Sequence, residues 1–451
     1  MSVTDRFKTM EKGFGLVQAL AEAERCLLCH DAPCSKGCPA ETDPATFIRK
    51  LRLRNLKGAI RTVKTNNALG GACGVLCPTA RLCEKECSAT GIVRPIAIGK
   101  IQRFLVEHSW QIGFEPLSRG AARREKIAVV GSGPAGLSCA AELAREGFTV
   151  TVFEERSEPG GVIRWGVPPY RFDAAFLKHE LAAIEKLGVE FVCNTRIDGA
   201  GGAEKLLADG FAAVFLGPGL WSAERLPGAE TVKGVRTSVE FLAALRGKGL
   251  AALAREFEGK TVGVIGGGSV AMDCVESALK LGAKDAYLVY RRSFAQMPAE
   301  EDERVAALRL GVHFLLLNQP VKYLADSKGK LKGLKLLRTR LGTPDASGRR
   351  KPEPIKGSEW VLECTAAIEA IGNTADTADW SAMVKVDEAG LVVANGKTRK
   401  TSAPAVRSPA HGRIFAGGDI VRGPALVVEA VQDGKLAARA IGTALAGGVK
   451  A

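Results

Sequence analysis

Apolar and polar positions follow the same order twice in the central part of the chain. Residues 127–130 form a short apolar run, followed by glycine-rich residues 131–136, a helical pattern, and another apolar run at 149–153. The order recurs with apolar runs at 261–265 and 286–290. A buried strand, a glycine turn, a helix and a second strand predict a βαβ dinucleotide-binding unit. The pattern therefore predicts an α/β fold class with two Rossmann-like units.

The N-terminal part has a different pattern, with short helices and many loops. Helical propensity predicts a helix over residues 15–25, and a capping aspartate followed by proline, Asp43-Pro44, predicts the start of a second helix. A third helix is predicted over residues 56–64, and residues 111–124 have the composition of a linker. This region is therefore expected to be a small helical domain.

Eight of the twelve cysteines lie within this helical region. Disulfides would need an oxidising compartment, and the first thirty residues lack the apolar core of a signal peptide. Zinc sites usually show two facing Cys-x2-Cys pairs, but only one such pair occurs here, Cys26 and Cys29. Iron–sulfur clusters use irregular short spacings with a late cysteine before a proline, as at Cys38 and Cys77. We therefore predict two [4Fe–4S] clusters, which supply folding free energy to this domain.

Each glycine turn is followed by residues that bear on the nucleotide it would bind. The glycines of residues 131–136 let backbone N–H groups approach a pyrophosphate at a helix N-terminus. Glu154 ends the next strand and can accept hydrogen bonds from both ribose hydroxyls. In the second unit that place is taken by Arg291 and Arg292. Because arginine accommodates a 2′-phosphate, NADPH is favoured over NADH.

A third glycine turn lies near the C-terminus. Gly417-Gly418-Asp419 follows a short apolar run and precedes a helical stretch over residues 425–445. A glycine pair before an aspartate can bring the backbone close to a ribityl–phosphate chain, so beside the first βαβ unit this turn indicates a flavin. A nicotinamide donates a hydride, an iron–sulfur cluster accepts one electron at a time, and a flavin can convert between the two. The expected cofactors are therefore FAD, two [4Fe–4S] clusters and a nicotinamide, with no catalytic acid or base required.

Composition narrows the class of protein. The formal net charge is +14, but lysine and arginine are spread along the chain with only four tyrosines and five tryptophans, so no nucleic-acid surface is indicated. The apolar runs are too short to cross a membrane, and we expect a cytoplasmic protein. Cys139, Cys193, Cys274 and Cys364 are expected to be small buried core residues.

The cysteine region also carries a family signature. It is similar to the N-terminal part of dihydropyrimidine dehydrogenase, and in bacteria, where that enzyme is split, the chain resembles the NAD(P)H-accepting subunit over essentially its whole length. The small subunit of glutamate synthase is a related family, with a shorter gap between the cysteines matching Cys77 and Cys83. The residues that carry the resemblance are Cys26, Cys29, Cys34, Cys38-Pro39, Asn67, Cys77-Pro78, Cys83 and Cys87.

The resemblance implies ligands for both clusters. The first cluster matches Cys26, Cys29, Cys34 and Cys87. The second cluster matches Cys38, Cys77, Cys83 and Gln102. From the residues alone Cys73 would be preferred to Gln102, because thiolate is the usual ligand. The resemblance reverses that choice and leaves Cys73 as a spare buried thiol.

The resemblance also implies two nucleotide sites. The residues matching the flavin site are Gly131, Ser132, Gly133, Pro134, Ala135, Gly136, Glu154, Glu155, Arg156, Gly160, Gly161, Val162, Arg171, Ile197, Gly418 and Asp419. The residues matching the nicotinamide site are Gly267, Gly268, Ser269, Val270, Arg291, Arg292, Ala370, Ile371 and Gly372. A further basic residue of the pyrimidine family has no counterpart here, where Met297-Pro298 stands.

The implied organisation is an iron–sulfur domain over residues 1–115, a flavin domain over 116–228 and 376–451, and a nicotinamide domain over 229–375 inserted within it. The implied function is electron input to an FMN- and iron–sulfur-containing partner that interconverts uracil or thymine and their 5,6-dihydro forms, as a heterotetramer. Three other interpretations remain: a glutamate-synthase-type small subunit, a general diaphorase feeding ferredoxin, and a non-enzymatic iron–sulfur scaffold or sensor.

Overall fold

The computed structural model describes residues 3–7, 10–198, 201–246, 249–344, 348–376, 380–381, 383–402 and 412–446. The chain divides into two compact units. The first unit comprises Glu11–Arg164, Arg171–Leu220 and Ala375–Ala451. The second unit comprises Met1–Met10, Trp165–Tyr170 and Trp221–Thr374.

The helices and strands of the described residues are as follows. The α-helices are α1 (Val3–Arg6), α2 (Leu16–Glu24), α3 (Pro33–Lys36), α4 (Pro44–Arg52), α5 (Leu56–Asn66), α6 (Gly70–Leu76), α7 (Ile98–Gln111), α8 (Pro134–Arg145), α9 (Gly161–Trp165), α10 (Ala174–Glu185), α11 (Gly202–Ala208), α12 (Ser238–Arg246), α13 (Leu250–Phe257), α14 (Ser269–Lys280), α15 (Glu301–Arg309), α16 (Asp419–Arg422) and α17 (Val427–Ala446). Short 3-10 turns lie at Thr79–Arg81, Ser88–Gly91, Ala229–Thr231 and Phe294–Gln296. The strands are β1 (Lys126–Val130), β2 (Thr149–Phe153), β3 (Glu190–Val192), β4 (Phe211–Leu216), β5 (Ser222–Ala223), β6 (Val235–Thr237), β7 (Thr261–Ile265), β8 (Asp285–Tyr290), β9 (His313–Leu316), β10 (Asn318–Ala325), β11 (Leu331–Pro344), β12 (Arg350–Pro354), β13 (Trp360–Glu363), β14 (Ala366–Glu369), β15 (Asn373–Thr374) and β16 (Ile414–Ala416).

The N-terminal helices of the first unit surround a small apolar core. Helix α4 begins at Pro44 because the Asp43 side chain accepts a hydrogen bond from the Thr46 backbone N–H at 3.1 Å. Its apolar face packs with that of α5 and α7. The three helices predicted here from capping and propensity, α2, α4 and α5, are confirmed within two residues at each end.

The first unit also contains a parallel sheet with strand order β16-β4-β1-β2-β3. Strands β1 and β2 and the helix between them, α8, are the first predicted βαβ unit. The chain returns to this sheet near its end, where β16 pairs with β4. Helix α17 packs closely on α8, because a Cβ atom at Gly434 would lie only 2.2 Å from the Ala135 carbonyl oxygen.

The second unit contains another parallel sheet, with strand order β6-β14-β7-β8-β9. Strands β7 and β8 with α14 form the second predicted βαβ unit. An antiparallel sheet of β10, β11, β12 and β13 follows in the chain, and a short pair joins β5 to β15. The sequence analysis did not predict the antiparallel sheet, because its strands mix charged and apolar residues without a regular alternation.

One prediction about the core is wrong. Cys139, Cys274 and Cys364 are buried as expected, whereas Cys193 is only partly buried because it follows the last residue of the edge strand β3. Among the described residues, none of the helices has both the length and the apolar character needed to cross a membrane.

Candidate functional site

The first glycine loop joins β1 to α8 and leaves one open position. Gly131 has φ +91°, and a Cβ atom there would lie 2.4 Å from the Gly217 carbonyl oxygen. At Gly136 a Cβ atom would lie 2.0 Å from the Gly131 carbonyl oxygen. Gly133 differs, because no atom lies within 4 Å of the position its Cβ would take. Since Gly133 immediately precedes Pro134 at the start of α8, a pyrophosphate can approach the helix N-terminus at this point.

Glu154 holds this loop in place. The Ser132 backbone N–H donates to Glu154 Oε2 at 3.0 Å, and the Ser132 hydroxyl donates to the same oxygen. The Arg156 backbone N–H donates to Glu154 Oε1 at 2.9 Å. The Gly160 N–H in turn donates to the Ser132 hydroxyl at 3.0 Å. Sequence reasoning gave Glu154 a role in binding ribose and missed its role in shaping the loop.

Two other predicted segments meet the loop. A Cβ atom at Gly161 would lie 2.4 Å from Gly133 Cα, and one at Gly418 would lie 3.0 Å from Ala135 Cβ. Three segments distant in sequence therefore converge at the end of β1. The other predicted flavin residues are less closely tied: Glu155 and Val162 are exposed, whereas Arg156, Arg171 and Ile197 are partly buried.

The turn at Gly418 is held by an aspartate that sequence reasoning did not find. Asp433, fully buried on α17, accepts hydrogen bonds from the Gly418 N–H at 2.9 Å and from two Arg422 nitrogens at 2.7 Å. Arg399 forms a further ion pair with Asp433 at 2.6 Å. Burial, together with the Glu429 and Asp433 carboxylates, raises the pKa of Asp419 to about 7, although the Ala425 backbone N–H opposes this shift. Asp433 lies inside a helical pattern, so no local signal marked it.

The second glycine loop repeats the geometry of the first. Gly266 has φ +144°, and a Cβ atom there would lie 2.2 Å from the Ala370 carbonyl oxygen. A Cβ atom at Gly267 would meet the Tyr290 ring at 2.5 Å, whereas nothing lies within 4 Å of one at Gly268. Ser269 and Val270 begin α14, as predicted. The Ala370 N–H donates to the Ile265 carbonyl at 2.8 Å, which brings residues 370–372 to the same end of the sheet as the loop.

The two predicted arginines have different environments. Arg291 is exposed, whereas Arg292 is buried and its Nε donates to the Arg350 carbonyl oxygen at 2.8 Å. Any contact with a 2′-phosphate therefore falls mainly to Arg291. Glu369, at the end of β14, is buried and accepts hydrogen bonds from the Tyr323 hydroxyl at 2.7 Å and the Leu226 N–H at 2.8 Å. These bonds fix the strand end that leads into residues 370–372.

The four cysteines predicted for the first cluster line one pocket, together with Leu27, Leu28 and Ile96. They are Cys26, Cys29, Cys34 and Cys87. The Ile96 backbone N–H donates to Cys87 Sγ at 3.4 Å. Burial, with the neighbouring Cys87 and Cys26 thiolates, raises the pKa of Cys34 to about 11. Thiolates crowded in this way are stabilised when they bind positively charged iron.

A second group of thiols includes the spare cysteine. A hydrogen bond with Cys73, burial, and the nearby Cys38 and Cys83 thiolates raise the pKa of Cys77. Asn67 Nδ2 donates to Cys73 Sγ at 3.3 Å. The predicted ligand Gln102 is buried on α7, and its Nε2 donates to the Gly70 carbonyl at 2.6 Å. The structure therefore brings Cys73 as well as the predicted cysteines into this group.

The arrangement of these donors suits a cluster better than one ion. Across the described ranges, no three His, Cys, Asp or Glu side chains converge closely enough to hold a single metal ion. A cluster of four irons separates its ligands more widely than one ion does, and thiolate is its usual ligand. Four cysteines around one pocket therefore match the chemistry of an iron–sulfur cluster.

Fold and site together define the class of a nucleotide-dependent iron–sulfur oxidoreductase. Residues 3–114 match the family model described as dihydropyrimidine dehydrogenase domain II, 4Fe-4S cluster. Residues 125–434 match the model of pyridine nucleotide-disulphide oxidoreductase. The chain belongs to this pyridine nucleotide-disulphide oxidoreductase family, in the branch that carries the iron–sulfur domain, and it is an NAD(P)H-dependent oxidoreductase.

Its curated relatives cover nearly the whole chain. The NAD-dependent dihydropyrimidine dehydrogenase subunit PreT of Escherichia coli O157:H7 is 37% identical, over 94% of this chain and 93% of that protein. The glutamate synthase [NADPH] small chain of Escherichia coli K12 is 34% identical, over 96% and 93%. The resemblance to the split bacterial dihydropyrimidine dehydrogenase is thus confirmed, as is its relation to glutamate synthase.

Solved structures support the fold alone. Mycobacterium tuberculosis FprA in complex with NADPH matches 72% of this chain and 86% of its own, with a TM-score of 0.58 and 20% identity. Thioredoxin reductase of T. acidophilum matches 72% of this chain and all of its own, with a TM-score of 0.52 and 18% identity.

Proposed function

We propose that this protein is the electron-input subunit of a dihydropyrimidine dehydrogenase. It takes a hydride from NAD(P)H onto FAD and passes single electrons through two [4Fe–4S] clusters to a partner subunit. The observation that carries the proposal is the presence, within the first unit, of both thiol groups and of a glycine loop open at Gly133 and meeting the Gly418 turn.

Each group of residues has a part in this scheme. Residues 131–136, Glu154, Gly160-Gly161 and the Gly418-Asp419 turn would hold FAD, which supplies the conversion between hydride and single-electron chemistry. Residues 267–270 and 370–372 would bind the nicotinamide nucleotide. The strand order of the first sheet, in which β16 returns beside β4, supports our placing the nicotinamide domain as an insertion in the flavin domain.

The domain limits given by the sequence, 1–115, 116–228, 229–375 and 376–451, are part of the same proposal. So is the ligand set of the clusters, with Gln102 rather than Cys73 completing the second. Alanine substitution at each of these two positions, followed by iron analysis, tests it. If Cys73→Ala loses iron while Gln102→Ala keeps both clusters, the assignment is wrong.

The partner proposed is an FMN- and iron–sulfur-containing subunit that interconverts uracil or thymine and their dihydro forms, in a heterotetramer. Several relatives are themselves named as subunits, among them PreT and the glutamate synthase small chain. The second candidate is therefore a glutamate-synthase-type small subunit. Mixing the reduced protein with each purified partner and its substrate distinguishes them: dihydrouracil formed from uracil supports the first, and glutamate formed from glutamine and 2-oxoglutarate supports the second.

The preferred nicotinamide remains NADPH in this proposal, and it now depends mainly on Arg291, because Arg292 donates to Arg350. The relatives differ in this respect, since the PreT subunits are named NAD-dependent and the glutamate synthase small chain is named for NADPH. The ratio of kcat/KM for NADPH to that for NADH, measured with a dye acceptor, tests the preference.

The main test is an oxygen-free preparation analysed for iron, acid-labile sulfide and FAD, and then titrated with NAD(P)H. We expect close to eight irons and one FAD per chain, as two four-iron clusters and one flavin require. We also expect bleaching of both flavin and cluster absorbance. A protein that contained neither iron nor flavin would contradict the proposal, and one whose flavin did not bleach would be a scaffold rather than an enzyme.

A further inference from the structure

A buried lysine connects the C-terminal helix to the loop that follows Cys38. Lys435, on α17, is 3% exposed, and its Nζ donates to the Ala40 carbonyl oxygen at 2.5 Å and to Asn66 Oδ1 at 3.2 Å. The Thr42 hydroxyl donates to the same Asn66 oxygen at 3.1 Å, and Thr42 also hydrogen-bonds the Cys38 thiol. A short hydrogen-bonded path therefore leads from the ammonium group to a ligand proposed for the second cluster.

The environment of Lys435 makes its charge significant. The two acceptors of its hydrogen bonds are neutral oxygens, so they do not cancel the positive charge. Burial lowers the pKa of Lys435, while the carboxylates of Glu142 and Glu41 and the Cys38 thiolate favour its charged form, and Arg439 opposes it. Placing an ammonium group in the interior is costly unless something there benefits from it. The residues nearest to benefit are those around Cys38.

The same helix also reaches the flavin turn. Asp433, two residues before Lys435, accepts the Gly418 N–H at 2.9 Å. Helix α17 therefore contacts the turn proposed to bind FAD and the loop proposed to bind the second cluster. The cluster held by Cys38, Cys77 and Cys83 is in this way structurally linked to the flavin site.

We propose that Lys435 raises the reduction potential of the cluster bound by Cys38, Cys77 and Cys83, and so makes it the first acceptor of electrons from the flavin. This inference rests on the proposed function. One electron leaves the reduced flavin and enters the oxidised cluster, which becomes more negative by one charge, and no bond forms or breaks. NAD(P)H supplies two electrons, so two such transfers follow each hydride. A nearby positive charge stabilises the reduced form, because net charge and hydrogen bonding set cluster potentials.

The test is a redox titration of the whole, cluster-loaded protein, followed by EPR and visible absorbance. Lys435→Met removes the charge at nearly constant length, and we expect the midpoint potential of one cluster to become more negative while that of the other stays unchanged. Arg439→Gln is the matched control, because Arg439 lies one turn further along α17 but its side chain is 55% exposed. We expect this control to leave both potentials unchanged, since water screens an exposed charge.

Asn66→Asp provides a second, nearly isosteric variant in case Lys435→Met loses iron. It places a negative charge against Lys435 and should lower the same midpoint potential with full iron content. If Asn66→Asp leaves both potentials at the wild-type values, or if Arg439→Gln shifts them as much as Lys435→Met, the inference is wrong. Wild-type protein without iron or flavin would instead refute the proposed function, so the two failures can be told apart.

Discussion

Gly133→Ala should separate the binding of FAD from the stability of the fold. Gly133 has φ −70° and ψ 179°, which alanine adopts readily, and no atom lies within 4 Å of the added methyl group. Alanine is a poorer N-cap than glycine by up to about 1 kcal/mol. It also restricts the unfolded chain, which returns roughly 0.4–1 kcal/mol. The free energy of unfolding of the flavin-free protein should therefore change by less than about 1 kcal/mol.

The effect on FAD should be larger. The methyl group occupies the space through which a pyrophosphate would approach the N-terminus of α8. Loss of one charge-assisted hydrogen bond costs about 1.5–3 kcal/mol. Since each 1.4 kcal/mol is tenfold in affinity, the Kd for FAD should rise roughly 10- to 150-fold.

The assay is FAD binding followed by flavin fluorescence, with circular dichroism melting to verify the fold. Gly268→Ala is the matched control, because Gly268 precedes α14 as Gly133 precedes α8 and is equally open. The control should bind FAD normally and raise the KM for NAD(P)H. A folded Gly133→Ala protein that bound FAD with the wild-type Kd would refute the assignment of this loop to the flavin.

Three further substitutions test other parts of the structure. Burial raises the pKa of Glu180 to about 7, so the native state holds a proton that the unfolded chain loses above its ordinary pKa of 4.5, and this contribution to stability falls as pH rises through that window. Glu180→Gln should reduce the fall in unfolding free energy between pH 4.5 and 7 by about 3 kcal/mol, and an unchanged pH profile in denaturant titrations would contradict this. Arg291→Glu should lower kcat/KM for NADPH at least about tenfold more than for NADH, since it reverses a charge near the expected 2′-phosphate, and equal losses would exclude that contact. Asp433→Asn should lower the unfolding free energy by about 3 kcal/mol and weaken FAD binding, because Arg399 and Arg422 lose their partner, and wild-type stability in urea would show that this pairing contributes little.

Features that depend on local sequence were predictable. Both βαβ units, their glycine turns and the helix after Asp43 appear where apolar runs, glycines and capping residues placed them. Contacts between distant segments were not predictable, because no local pattern records them. The bond from Lys435 to Ala40 spans 395 residues, and that from the Gly71 N–H to Glu180 spans 109. The direction of the Arg292 side chain was missed for the same reason, since its acceptor Arg350 lies on another strand.

Asp433 and Lys435 are separated by one residue on a continuous helix of twenty residues. At 3.6 residues per turn they point about 200° apart, so one side chain reaches the Gly418 turn and the other reaches the Ala40 loop. Because α17 moves as a rigid rod, thermal motion displaces both contacts together. The tunnelling distance between flavin and iron is then set by the width of one helix, and an insertion between these two positions would rotate one contact away by about 100°.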